Sequence, residues 1–413
     1  MTGATTLLPP VQPDRLRTDW RADARRFLTR PKIRVLLVFG TRPELIKLMP
    51  LIQEFGRGSS IELKTVMTAQ HTDLVQDLLE LWQIPVDYNL DVMLNGQSLN
   101  ALCARVIDRM DAVLTDVEPD IVIVQGDTTT AFGAAFASWQ QRIPVAHVEA
   151  GLRTATLDSP FPEEANRRLI SKISTLHFAP TARNAETLIS EGIAEENVVQ
   201  TGNTIVDAIR LIRQRQVVTS STAKLLESLK NQRIVVFTTH RREGFGEVLH
   251  DRLSVLSQFV KARPDVSVIF PVHPNPQVKE AVFAKLGDTN RVHLTEPLSY
   301  PDFLHCLAAS WAIVSDSGGI QEEAPSLGKP LLILRSETER PESVECGIAR
   351  LAGRSAKAFE AALEDLEKPG SWAAKVSEIP NPFGDGRAAR RIVNALLEWH
   401  KTQQVEEYQG QTV

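Results

Sequence analysis

Ionisable residues crowd into a few short stretches of this chain. "GDTTT" carries Asp127, "HVEAGLRT" carries Glu149, and "FPEEANRR" carries Glu163, Glu164, Arg167 and Arg168. "THRRE" adds His240, Arg241 and Arg242. Carboxylates gathered in one site can split their pKa values through proximity and desolvation, which makes them candidate acid and base groups. A plainer role stands beside that one, since Asp127 and Glu163 fall where helix starts need hydrogen-bond acceptors. In "FGTRPELIK", Arg42 and Lys47 sit about one turn apart near a helix start and suit a diphosphate or a carboxylate. For Arg42, pairing with a structural carboxylate is equally open. In "SDSGGIQEEAPSLGKP", Ser317, Gly318 and Gly319 offer backbone N–H groups to a diphosphate. Glu322 and Glu323 follow in what reads as the first helical turn, where a carboxylate can also accept two ribose hydroxyls. One of the two is read as that ligand and the other as an ordinary helix residue.

These residues need strands to carry them. Short, β-branched runs, read as apolar on both faces, alternate with helical patterns: "IRVLLVFG", "LKTVMTA", "DIVIVQGD", "PVAHVEAG" and "TLHFAPT", then "RIVVFTTH", "VSVIFPVH", "VHLTEP", "AIVSDSGG" and "PLLILRS". That is the pattern of buried parallel strands in βαβ units. Two sets predict an α/β fold of two Rossmann-like doubly wound domains with a cleft between them. The expected division is an N-terminal extension over 1–31, a first domain over 32–207, a second over 208–384 and a closing helix over 385–413. Nearly all the candidate residues lie just beyond strand ends, where ligands bind in open α/β sheets.

Composition narrows the classes. The 413 residues exceed one compact core, and 43% hydrophobic with 23% charged residues is ordinary for a globular protein. A net charge of −5 gives no basic field for nucleic acid, and no apolar run has membrane-spanning length. Cys103, Cys306 and Cys346 are far apart, which predicts a reducing, cytoplasmic setting and neither disulfides nor zinc. Residues 1–31 lack a signal-peptide pattern; "DRLRTDWRADARRFL" reads as an amphipathic surface helix with Leu16, Trp20 and Phe27 near one face. No P-loop, HExxH or convincing dinucleotide fingerprint is present, so no metal or cofactor is expected.

The motifs "VFGTRPELIK", "AQH", "QGDTTT", "HVEAGLRT", "PEEANRR", "TGNTIVDA", "THRRE", "DSGGIQEEAPSLGKP" and "TERPE", in this order, resemble the non-hydrolysing UDP-N-acetylglucosamine 2-epimerases. The resemblance runs from Ile33 to the final helix. It implies the glycosyltransferase-B architecture, a C-terminal helix crossing back to the first domain, a homodimer, and reversible conversion of UDP-GlcNAc to UDP-ManNAc. On this chain it implies acid/base and charge-stabilising roles for Asp127, Glu149 and Glu163, and an active-site role for His240. Substrate contacts implied are Arg42, Lys47, Gln70, His71, Arg167, the Ser317–Gly319 diphosphate seat, Glu323 on ribose, and Arg340 and Phe303 in the nucleotide pocket. The C2 proton of this sugar is not α to a carbonyl. Without a redox cofactor the reaction therefore needs C1–O cleavage, loss of UDP to a C1–C2 alkene (a glycal), and re-addition after protonation from the other face.

Three departures from the family pattern bear on function. Leu298 stands where Gln is common, and Thr239 where Gly is common. Gln70 and His71 of an activator-binding loop are followed by Thr72 and Asp73, and "VMLNGQSL" supplies no basic partner, so activation by a second UDP-GlcNAc is expected to be weak or absent. The alternatives are the same chemistry on a modified UDP-sugar such as a 2,3-diacetamido uronic acid, a transferase of the same architecture, and a non-enzymatic UDP-sugar-binding regulator.

Overall fold

Among the described residues, thirteen strands form two sheets. The structure is a computed structural model that describes residues 32–58, 60–68, 73–94, 96–239, 246–353 and 355–410. The first sheet contains β1 (Ile33–Phe39), β2 (Ile61–Met67), β3 (Tyr88–Asn89), β4 (Ile121–Gln125), β5 (Val145–Val148), β6 (Leu176–Ala179) and β7 (Val198–Gln200), in the order β3-β2-β1-β4-β5-β6-β7. The second contains β8 (Arg233–Thr238), β9 (Val266–Pro271), β10 (Val292–Thr295), β11 (Ala312–Ser315), β12 (Leu331–Ile333) and β13 (Ala349–Leu351), in the order β10-β9-β8-β11-β12-β13. All strand pairings among the described residues are parallel. Both sheets are flanked by helices, so the chain is α/β and doubly wound.

The chain divides into two units. One runs up to Ala208 and resumes at Gly384; the other is Ile209–Phe383. The helix Thr204–Arg215 passes from the first into the second. The closing helix Ala388–Gly410 returns to the first unit and packs on the helix Arg42–Phe55. Asp207 anchors its start by accepting hydrogen bonds from the backbone N–H of Ala388 and Ala389, both at 3.1 Å.

The central strands are buried on both faces, as their unbroken Val/Ile/Leu runs require. Two of the runs read as apolar on both faces are not. In β2 Leu63 and Lys64 are only half-buried, as is every residue of β10, an edge strand. The edge strands β3, β7 and β13 hold two or three residues each, too few to show a pattern in sequence.

β5 and β6 place His147 opposite His177, and both are buried. Burial holds the His147 pKa down at about 3 and that of His177 at about 4. The unfolded chain takes up these protons below about pH 6.5 and the folded chain does not, so their stabilising contribution is present above that pH and lost as pH falls. Each histidine costs ~1.4 kcal/mol per pH unit until its folded pKa is reached. Asp207, raised to about 6 by burial, and Glu44, also raised by burial, act in the opposite sense, while His293 and His400, both lowered by burial, act with His147 and His177. The denaturant midpoint is therefore expected to fall from pH 6.5 to pH 5; a flat or rising midpoint contradicts this.

Candidate active site

In the first unit the chain reverses its direction of sheet growth between β1 and β4, which are neighbours although β2 and β3 intervene in sequence. The loops beyond β1, β4 and β5 are thereby brought together at one end of the sheet, the usual ligand position in such folds. Glu149 follows β5 and is the point where two groups meet. Lys47 Nζ donates to its Oε1 at 2.5 Å, and the Gln125 amide donates to its Oε2. Both Lys47 and Glu149 side chains are over nine-tenths buried. Glu149 adopts φ +67°, an unusual conformation for a side-chain-bearing residue, which marks its turn as tightly specified.

Asp127 follows Gly126, whose φ of +70° bends the chain off β4. Its carboxylate accepts from Arg167 Nε at 3.1 Å and also from Arg167 Nη2, and its backbone carbonyl accepts from Asn166 Nδ2 at 2.9 Å. Arg167 is 5% exposed, and its Nη1 donates to Glu164 at 2.7 Å. Glu164, fully buried, also accepts from Arg168 Nε at 2.6 Å and from the Thr154 backbone at 3.0 Å. Of the two adjacent glutamates, Glu164 thus anchors the arginines. Glu163, the first residue of the helix Glu163–Ile173, remains half-buried.

The helix-capping alternative is settled for Asp127. The cap of the helix Thr129–Gln140 is Thr128, whose Oγ1 accepts from the Ala131 N–H at 3.0 Å. The cap position before Glu163 is held by Pro162. A residue the sequence reading passed over, Glu44, ties the loops together. It accepts from the Gly40 and Thr41 backbones at 2.9 and 2.6 Å and from Thr128 Oγ1 at 2.6 Å, so one buried carboxylate joins the ends of β1 and β4. Burial raises its pKa against those hydrogen bonds. Arg42 opens the helix Arg42–Phe55, half-buried, and among the described residues its side chain makes no hydrogen bond or ion pair.

The second unit repeats the switch between β8 and β11. Ser317 caps the helix Gly318–Leu327 without engaging its own side chain in the cap. Its backbone N–H donates to Ser315 Oγ at 2.9 Å, and Ser315 pairs with Thr238 at 2.8 Å. Thr239 donates its hydroxyl to the buried Asp316 at 2.8 Å, so the hydroxyl that replaces the common glycine has a fixed acceptor. Arg340 lies over Gly318, where a Cβ would come within 2.9 Å of its Nη1, and donates through Nε to Glu322 at 2.5 Å. Glu339 holds Arg335 at 2.7 Å beside it and is depressed to about 2 by the Arg335 bond and the nearby Arg340 against its own burial.

The expectation that Glu322 and Glu323 lie in the first helical turn is corrected, because that turn holds no acidic residue. Neither glutamate is an ordinary surface helix residue either. Both are buried, Glu322 against Arg340 and Glu323 under the Tyr300 hydroxyl at 3.0 Å. Phe303 and Leu298 both pack on the apolar cluster around Ile313, Ile320 and Leu331. His240, Gln70 and His71, and with them most of the expected activator loop, lie outside the described residues. So does the segment 1–31. Among the described residues no helix is long and apolar enough to cross a membrane.

Two parallel, doubly wound units with carboxylate–cation pairs beyond one sheet and a glycine turn beyond the other define an α/β protein of the glycosyltransferase-B type. The comparisons with known proteins then narrow the class. The model of the UDP-N-acetylglucosamine 2-epimerase family matches residues 53–397. The UDP-N-acetylglucosamine 2-epimerase of Neisseria meningitidis is 42% identical over 371 residues, covering 89% of this chain and all of that one; that of Salmonella typhimurium is 42% identical over 373 residues, covering 89% and 99%. The crystal structure of the Neisseria meningitidis enzyme bound to UDP-GlcNAc aligns with a TM-score of 0.83 over 89% of this chain and all of that one. The Methanocaldococcus jannaschii enzyme in complex with UDP-GlcNAc and UDP, 33% identical, aligns at 0.77 over the same shares. The chain belongs to the UDP-N-acetylglucosamine 2-epimerase family, a family of isomerases.

Proposed function

We propose that this protein interconverts UDP-N-acetylglucosamine and UDP-N-acetylmannosamine by eliminating UDP and adding it back. The observation that carries this reading is the pairing of Glu149 with Lys47 and of Asp127 with Arg167 at neighbouring strand ends. Two differently held carboxylates are what removal and return of a proton at C2 require. Glu163 is the third candidate, and His240 completes the proposed set. The Ser317–Gly319 turn is proposed to seat the diphosphate, with Arg340 at hand to offset charge on departing UDP. Glu323, fixed by Tyr300, is proposed to hold the ribose hydroxyls. Arg42, Gln70, His71 and Phe303 are proposed as further substrate contacts. No redox group enters this route, because C1–O cleavage itself acidifies the C2 proton. The protein is proposed to work as a homodimer in the cytoplasm, without a second UDP-GlcNAc as activator.

Two experiments test the reading. Glu323→Gln is expected to raise KM for UDP-GlcNAc about 10-fold or more with kcat little changed, because a charged hydrogen bond to the ribose is weakened in ground and transition states alike. An unchanged KM removes Glu323 from the nucleotide site. UDP-GlcNAc carrying ¹⁸O in the C1–O–P bridge tests the elimination. If UDP leaves and returns, the label scrambles into the non-bridging β-phosphate positions as the manno isomer forms. Label retained in the bridge during turnover overturns it.

A further inference from the structure

His147 is fully buried in the middle of the first sheet, and no role above accounts for it. Its Nε2 lies 2.7 Å from the carbonyl oxygen of Gly126. A carbonyl only accepts, so Nε2 carries the proton and the ring is in the Nε2–H tautomer. Nδ1 is buried and makes no hydrogen bond among the described residues. The ring therefore has one polar attachment, and it is to the turn that launches Asp127. The Gly126 carbonyl and the Asp127 N–H belong to one planar peptide, so fixing that oxygen fixes the direction in which the Asp127 Cα leaves β4. Gly126, at φ +70°, has the conformational freedom to point that peptide elsewhere if released. The remaining restraints on the turn act at other atoms. The Gly126 N–H donates to Val148 at 3.0 Å, Asn166 holds the Asp127 carbonyl at 2.9 Å, and Arg167 holds the carboxylate. On its own strand His147 stands two residues before Glu149, so the ring ties the Asp127 turn to the strand that ends in Glu149.

We infer that His147 is a positioning residue: its Nε2–H clamps the Gly126 carbonyl and thereby sets where the Asp127 carboxylate stands relative to Glu149. This rests on the reading that Asp127 and Glu149 act on the sugar of a UDP-sugar. The neutral ring is suited to the task, because burial keeps it unprotonated throughout the neutral range and the donor never changes.

The test compares three full-length variants with wild type in kcat, KM and thermal midpoint. His147→Gln can place an amide N–H near the Nε2 position; His147→Asn places it near Nδ1, away from Gly126; His147→Leu removes the donor at similar volume. The expected result is a kcat about 10-fold or more below wild type for the Asn and Leu variants with KM within about 2-fold, and a Gln variant within a few-fold of wild type. Gln and Asn variants that are equally active per folded molecule overturn the proposal, even if both are less stable, because a purely structural histidine predicts that outcome. Should the Leu variant not fold, the Gln–Asn contrast still decides. A folded wild-type protein that shows no epimerisation instead overturns the underlying functional reading, and the positioning proposal falls with it.

Discussion

Glu149→Gln is expected to lower kcat by about 10²–10⁴-fold, the range for loss of a general acid or base, and to leave the fold intact. The substitution keeps an oxygen for Lys47 to donate to, so the buried ammonium is not stranded. It removes the charge and the capacity to exchange a proton, and it turns the oxygen facing Gln125 into an N–H donor, to which the Gln125 amide can present its own oxygen by rotating. Lys47 and Gln125 donate to the two oxygens of Glu149, one each, and so hold the carboxylate in place. KM is expected to change little, because the nucleotide is proposed to be held by Glu323 and the Ser317–Gly319 turn. A kcat within about 3-fold of wild type removes Glu149 from the chemistry.

Arg167→Met acts on stability and activity together. Arg167 joins Asp127 to Glu164, and Glu164 is fully buried. Removing the cation leaves two carboxylates side by side, one of them out of water, and breaking such a buried pair costs about 3–5 kcal/mol. Arg168 still bonds Glu164, which places the expected loss near the lower end of that range. Chemical denaturation measures it, and activity is expected to fall further than the loss of folded protein explains, because Asp127 is no longer held. The double variant with Glu164→Gln is expected to recover part of the stability and none of the activity. Recovery of both indicates that Arg167 serves only Glu164.

Much of this was legible in the sequence. The parallel sheets could be read because buried parallel strands are continuous apolar runs, and the candidate site because its residues follow those runs directly. What escaped were the edge strands β3, β7 and β13, too short to have a period. The division of labour within pairs of like residues escaped as well. "PEEANRR" does not reveal that Glu164 is buried under two arginines while Glu163 stays half-exposed, and "QEEAP" does not reveal that Glu322 faces Arg340 while Glu323 faces Tyr300. The two arginines lie three and four residues after Glu164, but Glu163 also stands four before Arg167, so helical spacing does not choose between the two glutamates, and Arg340 and Tyr300 lie 18 and 23 residues from their partners, beyond any local spacing. Glu44 escaped as well: it stands in the first turn of its helix, where an acid is ordinary, and its partner Thr128 lies 84 residues away, across the β1–β4 switch.

The central claim is that the protein inverts C2 of UDP-GlcNAc through proton removal and return. Incubation of the full-length protein with UDP-GlcNAc in D₂O, followed by proton NMR, tests it most directly. The account predicts that the manno isomer appears with deuterium at C2, and that the remaining gluco isomer gains deuterium as the reaction approaches equilibrium. A manno product that keeps its original C2 proton, or no product and no exchange from folded protein, contradicts it.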